Sequence, residues 1–583
     1  MQLKKLTIKN FRNFENCTIN LTNKNLVFGM NDVGKSNLLY AIRMLFDTRI
    51  RNRPVDTTDF HKQNTDDNIE ISCFLDISEE NEYSDILIAK AENANTDFTE
   101  LFEIKLTCSY NDGNSITYLY WGTESEDLLE VPSLGIRSQL DNIFHCTFIP
   151  SQNNTSNSFK DFKKELLSSH NYLENDSDIR RDIENANKAI NENVAKLSSV
   201  KSMETSINQQ LSLFDKGYEV QISPSNAFGD LHNNLDLYMR DNLDIEGELI
   251  YPTSGDGRIR KVMYAIISYL LKEGKNAEGK IPILLIEEPE NHLFLSAQVE
   301  LSKTIFSEDF NPYLFLTTHS PHLFFRISDN ANLIRLYKKK NNLCAMSEMT
   351  CVPQQYNDYK NILLESLAQC LFVDKVLLVE GESEKLLFEW VLDSLGKNRQ
   401  NVIIQSILGV NFTNYVKILN GLGIEVLVKT DNDIKKNRVS ENNSTQTFSA
   451  IGYNRCISLI SIKDKKDYVT QESLALEYNL FREHIIIKKA NEINYMKGKG
   501  VFLSKIDLEN DLAEALNFQT IDKKEFIDWL QGKKWHHMWY LITLNEDELP
   551  SRIYEELVAK ANIAQTIYDN EDFFCLKELV GDD

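Results

Sequence analysis

The chain has 583 residues, 42% hydrophobic and 26% charged, which sets it among globular proteins of about two to four domains and excludes a small module. With 63 basic against 87 acidic residues the net charge is −24, so the molecule as a whole repels a polyanion and any nucleic-acid contact must come from local basic patches. Nine cysteines scattered without a CxxC pair suggest neither a zinc module nor a disulfide framework, leaving buried apolar thiols as the expectation.

From the N-terminus, "MQLKKLTIKNF" alternates polar and apolar residues instead of offering a signal-peptide core, and the longest apolar run, "VMYAIISYLL", is too short to span a bilayer. The expectation is a cytoplasmic protein with no membrane partner. Residues 26 to 36, "LVFGMNDVGKS", read as a strand, a GxxxxGKS loop and a helix start, with Leu39, Ile42 and Phe46 following at helical spacing. Gly29 and Gly34 let backbone amides turn toward a phosphate, Lys35 reaches the β and γ phosphates, and Ser36 ligates Mg²⁺. Asn31, Gly34, Lys35, Ser36 and Asn37 are therefore candidate nucleotide contacts.

Between about residues 155 and 245 the composition turns polar, and Ile183, Ala186, Ile190, Val194 and Leu197 recur at helical spacing. Two expectations stand side by side: a helical insertion packed on its own domain, and an arm for subunit contact. "YPTSGDGRIRK" then places Ser254 in a Ser-Gly-x-Gly turn ahead of an apolar helix. "IPILLIEEPENH" is an apolar strand ending in paired carboxylates, with Glu287 suited to the Mg²⁺ shell and Glu288 to polarising an attacking water. "YLFLTTHSP" is a further strand, ending at His319, placed to sense a γ-phosphate.

In the C-terminal half, "VLLVEGESEK" ends a buried-looking strand in three glutamates around Gly381. Like charges at such an exit are unfavourable unless positive charge is expected there. Gly381 is read as permitting a tight exit and Ser383 as a helix cap, with Leu387, Val391 and Leu395 facing inward. Glu380 then sits at a strand end and Glu384 in the first helical turn. About fifty residues on, "IEVLVKTDND" runs a strand into Asp431 and Asp433, so strand-end carboxylates converge on one edge of a parallel sheet. "VFLSKIDLENDLAEAL" brings Asp507 and Glu509 to a third strand-to-helix junction, with Asp511 one turn later; an acidic helix start also has the plain reading of complementing the helix dipole.

These segments carry resemblances. "LTIKNFRNFEN", "GMNDVGKS", "SGDG", "LLIEEPE" and "LTTHSP" together resemble the ABC-type ATPase of the RecF and SMC class, in which two heads sandwich nucleotide. That implies ATP with Mg²⁺, at least a dimer, and Ser254 completing the partner's site; Gln152 in "FIPSQNN" is the one position suited to a glutamine loop. The strand-end Glu-Gly, helical Glu and later Asp-x-Asp resemble a Toprim domain. The all-oxygen donor set suits two Mg²⁺ or Mn²⁺ ions.

The fold class expected is α/β, with an ATPase domain at 1–350 and a Toprim nuclease domain at 351–583. An ATPase followed directly by Toprim resembles the OLD family of nucleases, and the order of "SGDG", "IEEPE", "TTHSP", "VEGESEK", "KTDND", "IDLENDL" and "CLKELVG" is similar to its Gabija-type antiphage members. The resemblance implies metal binding by Glu380, Glu384, Asp431, Asp433, Asp507 and Glu509, and a lysine of "QGKKWHHMW" stabilising transition-state charge, Lys534 first and Lys533 next. It further implies a DNA endonuclease acting on double-stranded DNA, a tetramer, a UvrD-like helicase partner, and cleavage restrained by nucleotide. A different class of reading is an SMC-like ATP switch with an inert Toprim domain, which the complete acidic set argues against. A topoisomerase would need strand-gating domains for which little chain remains.

Overall fold

In the computed structural model, residues 1–151, 181–205, 280–349 and 366–582 are described, apart from short stretches within them. Met1–Phe148, Lys280–Glu290 and Phe294–Asp583 form one compact unit, and Ile149–Gly279 with Asn291–Leu293 a second. In the second unit the assigned residues between 181 and 205 are mainly helical, with Ile190 and Leu197 more than half exposed. The remainder of the expected insertion at 155–245, Gln152, Ser254 and the expected domain boundary near 350 lie outside the described residues, as does Asn31.

The N-terminal half begins with strands β1 (Gln2–Phe11), β2 (Phe14–Asn20) and β3 (Lys24–Phe28), helix α1 (Lys35–Phe46), and strands β4 (Ile69–Asp76), β5 (Leu101–Asn111), β6 (Asn114–Gly122) and β7 (Phe144–Ile149). It continues with β8 (Ile281–Glu287), β9 (Tyr313–Thr317), β10 (Asn332–Lys339) and β11 (Asn342–Met349). An antiparallel sheet runs β2-β1-β4-β5-β6 to a short edge at Leu129–Glu130. Its strands alternate, as one-sided sheets do, and Leu6, Ile8, Ile71, Cys73, Ile104 and Leu106 share a core with Leu38, Ile42 and Leu45 of α1. A second sheet runs β7-β8-β9-β3-β10-β11. Its centre is parallel, which explains the unbroken apolar runs "ILLI", "YLFL" and "LVF": both faces of these strands are buried.

The C-terminal half contributes β12 (Lys375–Val379), α2 (Glu382–Ser394), β13 (Val402–Ser406), β14 (Glu425–Thr430), α3 (Ile451–Asp464), β15 (Val501–Leu503), α4 (Leu508–Leu516), α5 (Lys523–Gly532) and α6 (Lys534–Thr543). The sheet order is β13-β12-β14-β15, all parallel. Leu387 and Val391 are fully buried as expected, while Leu395 at the helix end packs only partly. Because the strands are parallel, the exits at Glu380, Asp431 and Ser504 lie along one edge.

Two local expectations are corrected. Gly381 has φ −137°, ordinary extended backbone, and an added Cβ would meet nothing closer than 3.7 Å, so no special exit geometry demands glycine. Ser383 does not cap α2: the residue before the helix is Gly381, whose N–H donates to Glu384 Oε2 at 2.6 Å. The carboxylate three residues on satisfies an amide that a capping hydroxyl would leave open.

The two halves of the compact unit meet at a buried guanidinium. Arg335, on β10 and paired in register with Phe28 of β3, donates to the carbonyls of Gly423 at 2.9 Å, Val373 at 3.2 Å and Leu422 at 3.4 Å, and to Asp374 Oδ1 at 2.6 Å. These acceptors lie just ahead of β12 and β14. Arg335→Met is expected to lower stability by on the order of 2–3 kcal/mol, because buried carbonyls lose their donor. A chemical-denaturation midpoint equal to wild type would contradict this.

Candidate active site

The phosphate loop is held in shape by asparagines. Gly34 sits at φ +103°, and a Cβ there would come within 2.0 Å of Asn13 Nδ2, so both backbone and space require glycine. Asn13 Nδ2 donates to Val33 O at 2.9 Å, Asn37 Nδ2 donates to Asn13 Oδ1 at 2.9 Å, and Arg12 Nη1 donates to Asn37 Oδ1 at 2.9 Å. The Asn37 side chain thus braces the loop from behind. Lys35 is buried, its ammonium donating to the carbonyls of Met30 at 3.0 Å and Gly29 at 3.2 Å, and Ser36 follows in the first turn of α1.

Parallel pairing brings the other candidates to this end of the sheet. Glu287 is the last residue of β8 and pairs in register with Thr317, which pairs with Val27 just ahead of the loop. Glu288 adopts φ +42°, rare for a side-chain-bearing residue, with its N–H bonded to Thr317 O at 2.9 Å. His319 Nε2 lies 3.0 Å from Glu288 Oε1. β9 ends at Thr317, so His319 stands in the loop two residues beyond the strand that was expected to carry it. Glu290 is absent from the candidates that the sequence suggests, yet its carboxylate accepts from the Thr318 hydroxyl at 2.9 Å and from the His319 N–H, and burial raises its pKa. The third acid of "EEPE" is the signal that marks it.

The second site lies on the exit edge of the C-terminal sheet. Glu380 Oε1 accepts from the Asp431 N–H at 3.0 Å and from the Thr430 hydroxyl, tying the ends of β12 and β14 together. Glu384 is buried. Desolvation pushes its carboxyl up to about 8, opposed by the Gly381 N–H and Lys429 and reinforced by Glu380 and Glu509. Asp431 goes further, to about 9, from desolvation and then the charges of Glu384, Glu380, Asp507 and Glu509. The charges of the other four acids all act on Asp431, which stands at the centre of the acidic cluster. Asp433 is half exposed at its rim.

Asp507 caps α4, its Oδ1 accepting from the Asn510 N–H at 2.9 Å, so the dipole-complementing reading holds for this residue too. Glu509 is buried and paired with Lys534 Nζ at 2.8 Å; Lys534 opens α6, and its pKa is raised by that bond against the effect of desolvation. Lys533 is exposed at the helix boundary, with no ion pair to the cluster among the described residues. Asp511 plays a different part, since its carboxylate takes the buried Lys429 ammonium at 2.9 Å and fastens α4 to β14. Arg455, which no local pattern in the sequence marks, bridges Glu380, Thr430 and Asp433 from α3.

The donor set is oxygen only, as hard divalent cations prefer. Asp431 Oδ1 and Glu509 Oε2 are buried with no hydrogen-bond partner, an arrangement that suits a cation and is unfavourable without one. Among the described residues no three of these side chains close on a single point; Arg455 and Lys534 hold three of the six carboxylates as counter-charges. The residues fit divalent ions in chemistry, with the side chains drawn toward protein cations.

Both raised carboxyls bind protons more tightly in the folded than in the unfolded chain, whose reference value is about 4. The folded state therefore holds extra protons between about pH 4 and about 9, and stability falls as pH rises through that window. In chelator, the wild-type melting temperature is expected to drop between about pH 6 and pH 9, and Asp431→Asn to flatten the slope. Parallel profiles for the two proteins would contradict the assignment.

Known families match the segments that carry both sites. The AAA ATPase domain family matches residues 1–324, and the "Overcoming lysogenization defect protein-like, TOPRIM domain" family matches residues 371–433, a span that includes Glu380, Glu384, Asp431 and Asp433. Endonuclease GajA of Bacillus cereus strain VD045 is 34% identical over 100% of both chains. A second endonuclease GajA, from strain HuB5-5, is 23% identical over 45% of this chain and 43% of its own. The Old nuclease of Escherichia phage P2 is 22% identical over 75% of this chain and 78% of its own. The chain belongs to the GajA endonuclease family, OLD-type nucleases in which an AAA ATPase domain is joined to a TOPRIM domain.

Proposed function

We propose that the chain hydrolyses phosphodiester bonds of double-stranded DNA at the Glu380–Asp431–Glu509 cluster, in antiphage defence, under control of nucleotide bound at the Lys35 loop. The observation that carries this reading is the cluster itself: acids gathered from three parallel strand exits, partly or fully buried, with two orphaned oxygens. In this reading Glu380, Glu384, Asp431, Asp433, Asp507 and Glu509 hold two Mg²⁺ or Mn²⁺ ions, which when bound supply an activated water and Lewis-acid stabilisation of the leaving oxygen. Asp431 and Glu384 must give up protons for this, so their raised values make ligation and deprotonation one event. Lys534, released from Glu509, offers its ammonium to the charge that develops on the phosphate.

At the nucleotide site, Asn31, Gly34, Lys35 and Ser36 cradle the phosphates of ATP, Ser36 and Glu287 serve Mg²⁺, and Glu288 with His319 orients water. The Glu288–His319 pair supports a hydrolytic arrangement over a purely sensing one. Ser254 would act on a partner's nucleotide, which requires a dimer of ATPase heads, 1–350, with 155–245 as the arm; a tetramer and a UvrD-like helicase subunit complete the assembly by family likeness. The 351–583 portion carries the nuclease.

Supercoiled plasmid with Mg²⁺ tests this directly. Glu380→Ala is expected to abolish cutting, whereas Lys35→Ala leaves cutting intact and removes its dependence on nucleotide. Equal cleavage by wild type and Glu380→Ala would refute the site. Lys534→Ala is expected to slow turnover by about 10²-fold, as loss of one preorganised donor does, while leaving DNA affinity near wild type; a change confined to affinity would reassign Lys534 to binding.

A further inference from the structure

Arg455 is the one arginine that enters the described carboxylate cluster. It rises from the first turns of α3, a helix pressed against the Asp431–Asp433 backbone: Gly452 N–H donates to Asp433 O at 3.1 Å, and a Cβ on Gly452 would lie 2.1 Å from Asp431 O. That contact fixes the guanidinium in place one turn later. Its Nη1 donates to Glu380 Oε1 and Thr430 Oγ1, its Nη2 to Asp433 Oδ2 at 2.9 Å, and the side chain is only 11% exposed while Asp433 opens to solvent. The cation therefore spans one acid from the end of β12 and one from the turn after β14.

We propose that Arg455 competes with a divalent cation for Glu380 and Asp433, and that the guanidinium displaced by metal becomes a clamp on a DNA phosphate. This rests on the nuclease reading of the cluster and adds to it a residue and an order of events. A divalent ion on Glu380 and Asp433 would stand within a few ångströms of the guanidinium bonded to Glu380 Oε1 and Asp433 Oδ2, and the repulsion between the two cations sets metal entry against retention of both arginine bonds. A planar guanidinium freed beside the bound ions has the geometry for a bidentate phosphate contact, and its short tether keeps it at the site. The exchange also limits the repulsion among the acids when metal is scarce.

The test uses full-length, nucleotide-free protein and Mn²⁺ alone, followed by electron paramagnetic resonance. Arg455→Gln is expected to bind Mn²⁺ about tenfold more tightly than wild type, and Arg455→Lys, which keeps the charge but not the two-carboxylate span, about two- to threefold more tightly. Filter binding to duplex DNA in Ca²⁺ should show Arg455→Gln with a salt dependence shallower by about one phosphate contact. Unchanged or weaker Mn²⁺ binding in both variants overturns the competition, and an unchanged salt slope overturns the phosphate clamp. Should Arg455→Gln fail to fold, Arg455→Lys decides the first point, and its predicted loss of bidentate binding, seen as weaker duplex affinity at equal charge, decides the second. Glu380→Gln is the control: if it leaves Mn²⁺ binding intact, the metal-site reading itself fails, whereas loss in Glu380→Gln with no gain in Arg455→Gln rejects this inference alone.

Discussion

Glu380, Glu384, Asp431 and Glu509 hold their carboxyl groups partly or wholly out of water around the ends of parallel strands, where Glu380 and Glu509 raise the proton affinity of Glu384, and all three raise that of Asp431. Such a grouping weakens a fold unless protons, protein cations or metal ions balance it. All three kinds of balance are available to this chain: protons on Asp431 and Glu384, Arg455 and Lys534 as internal counter-ions, and orphaned oxygens on Asp431 and Glu509 suited to divalent ions. The surrounding architecture serves to keep these acids together. Lys429 and Asp511 fasten α4 to β14, Thr430 ties Glu380 to Asp431, and the Gly452 contact brings α3 to the rim.

The nucleotide half follows another logic, in which backbone and not charge is arranged. Asn13, Asn37 and Arg12 hold the loop from behind, and β8, β9 and β3 align Glu287, Glu288 and His319 beside it by register alone. Arg335 stands between the halves, one strand from the phosphate loop and in contact with the segments that feed β12 and β14. That guanidinium is a buried, hydrogen-bonded link between the strand beside β3 and the segments that lead into β12 and β14.

Much of this is readable in the sequence where chemistry and period coincide. The GxxxxGKS loop, the apolar runs ending in acids, and the three acidic strand exits each carry a local signature, so the two α/β halves and the members of the acidic cluster can be named from the chain alone. What cannot be read depends on contacts between distant segments. Arg455 sits in "IGYNRCISLI" with nothing nearby to mark it; only the folding of α3 onto the Asp431 turn gives it partners 22 and 75 residues away. Asp511 and Asp507 look alike in "DLEND", yet one is spent on a buried lysine and the other on a helix cap. Gly381 shows the reverse error, a glycine taken for a conformational necessity where the backbone is ordinary.

Anomalous diffraction from crystals soaked in Mn²⁺ tests the central claim most directly, because it locates the ions without reference to activity. The account predicts paired anomalous peaks between the exits of β12, β14 and β15, with Glu380 and Asp431 among the nearest oxygens, Glu509 turned from Lys534, and Arg455 moved off Glu380. Peaks absent from that edge at saturating Mn²⁺, with Arg455 and Lys534 still seated on their carboxylates, would contradict it.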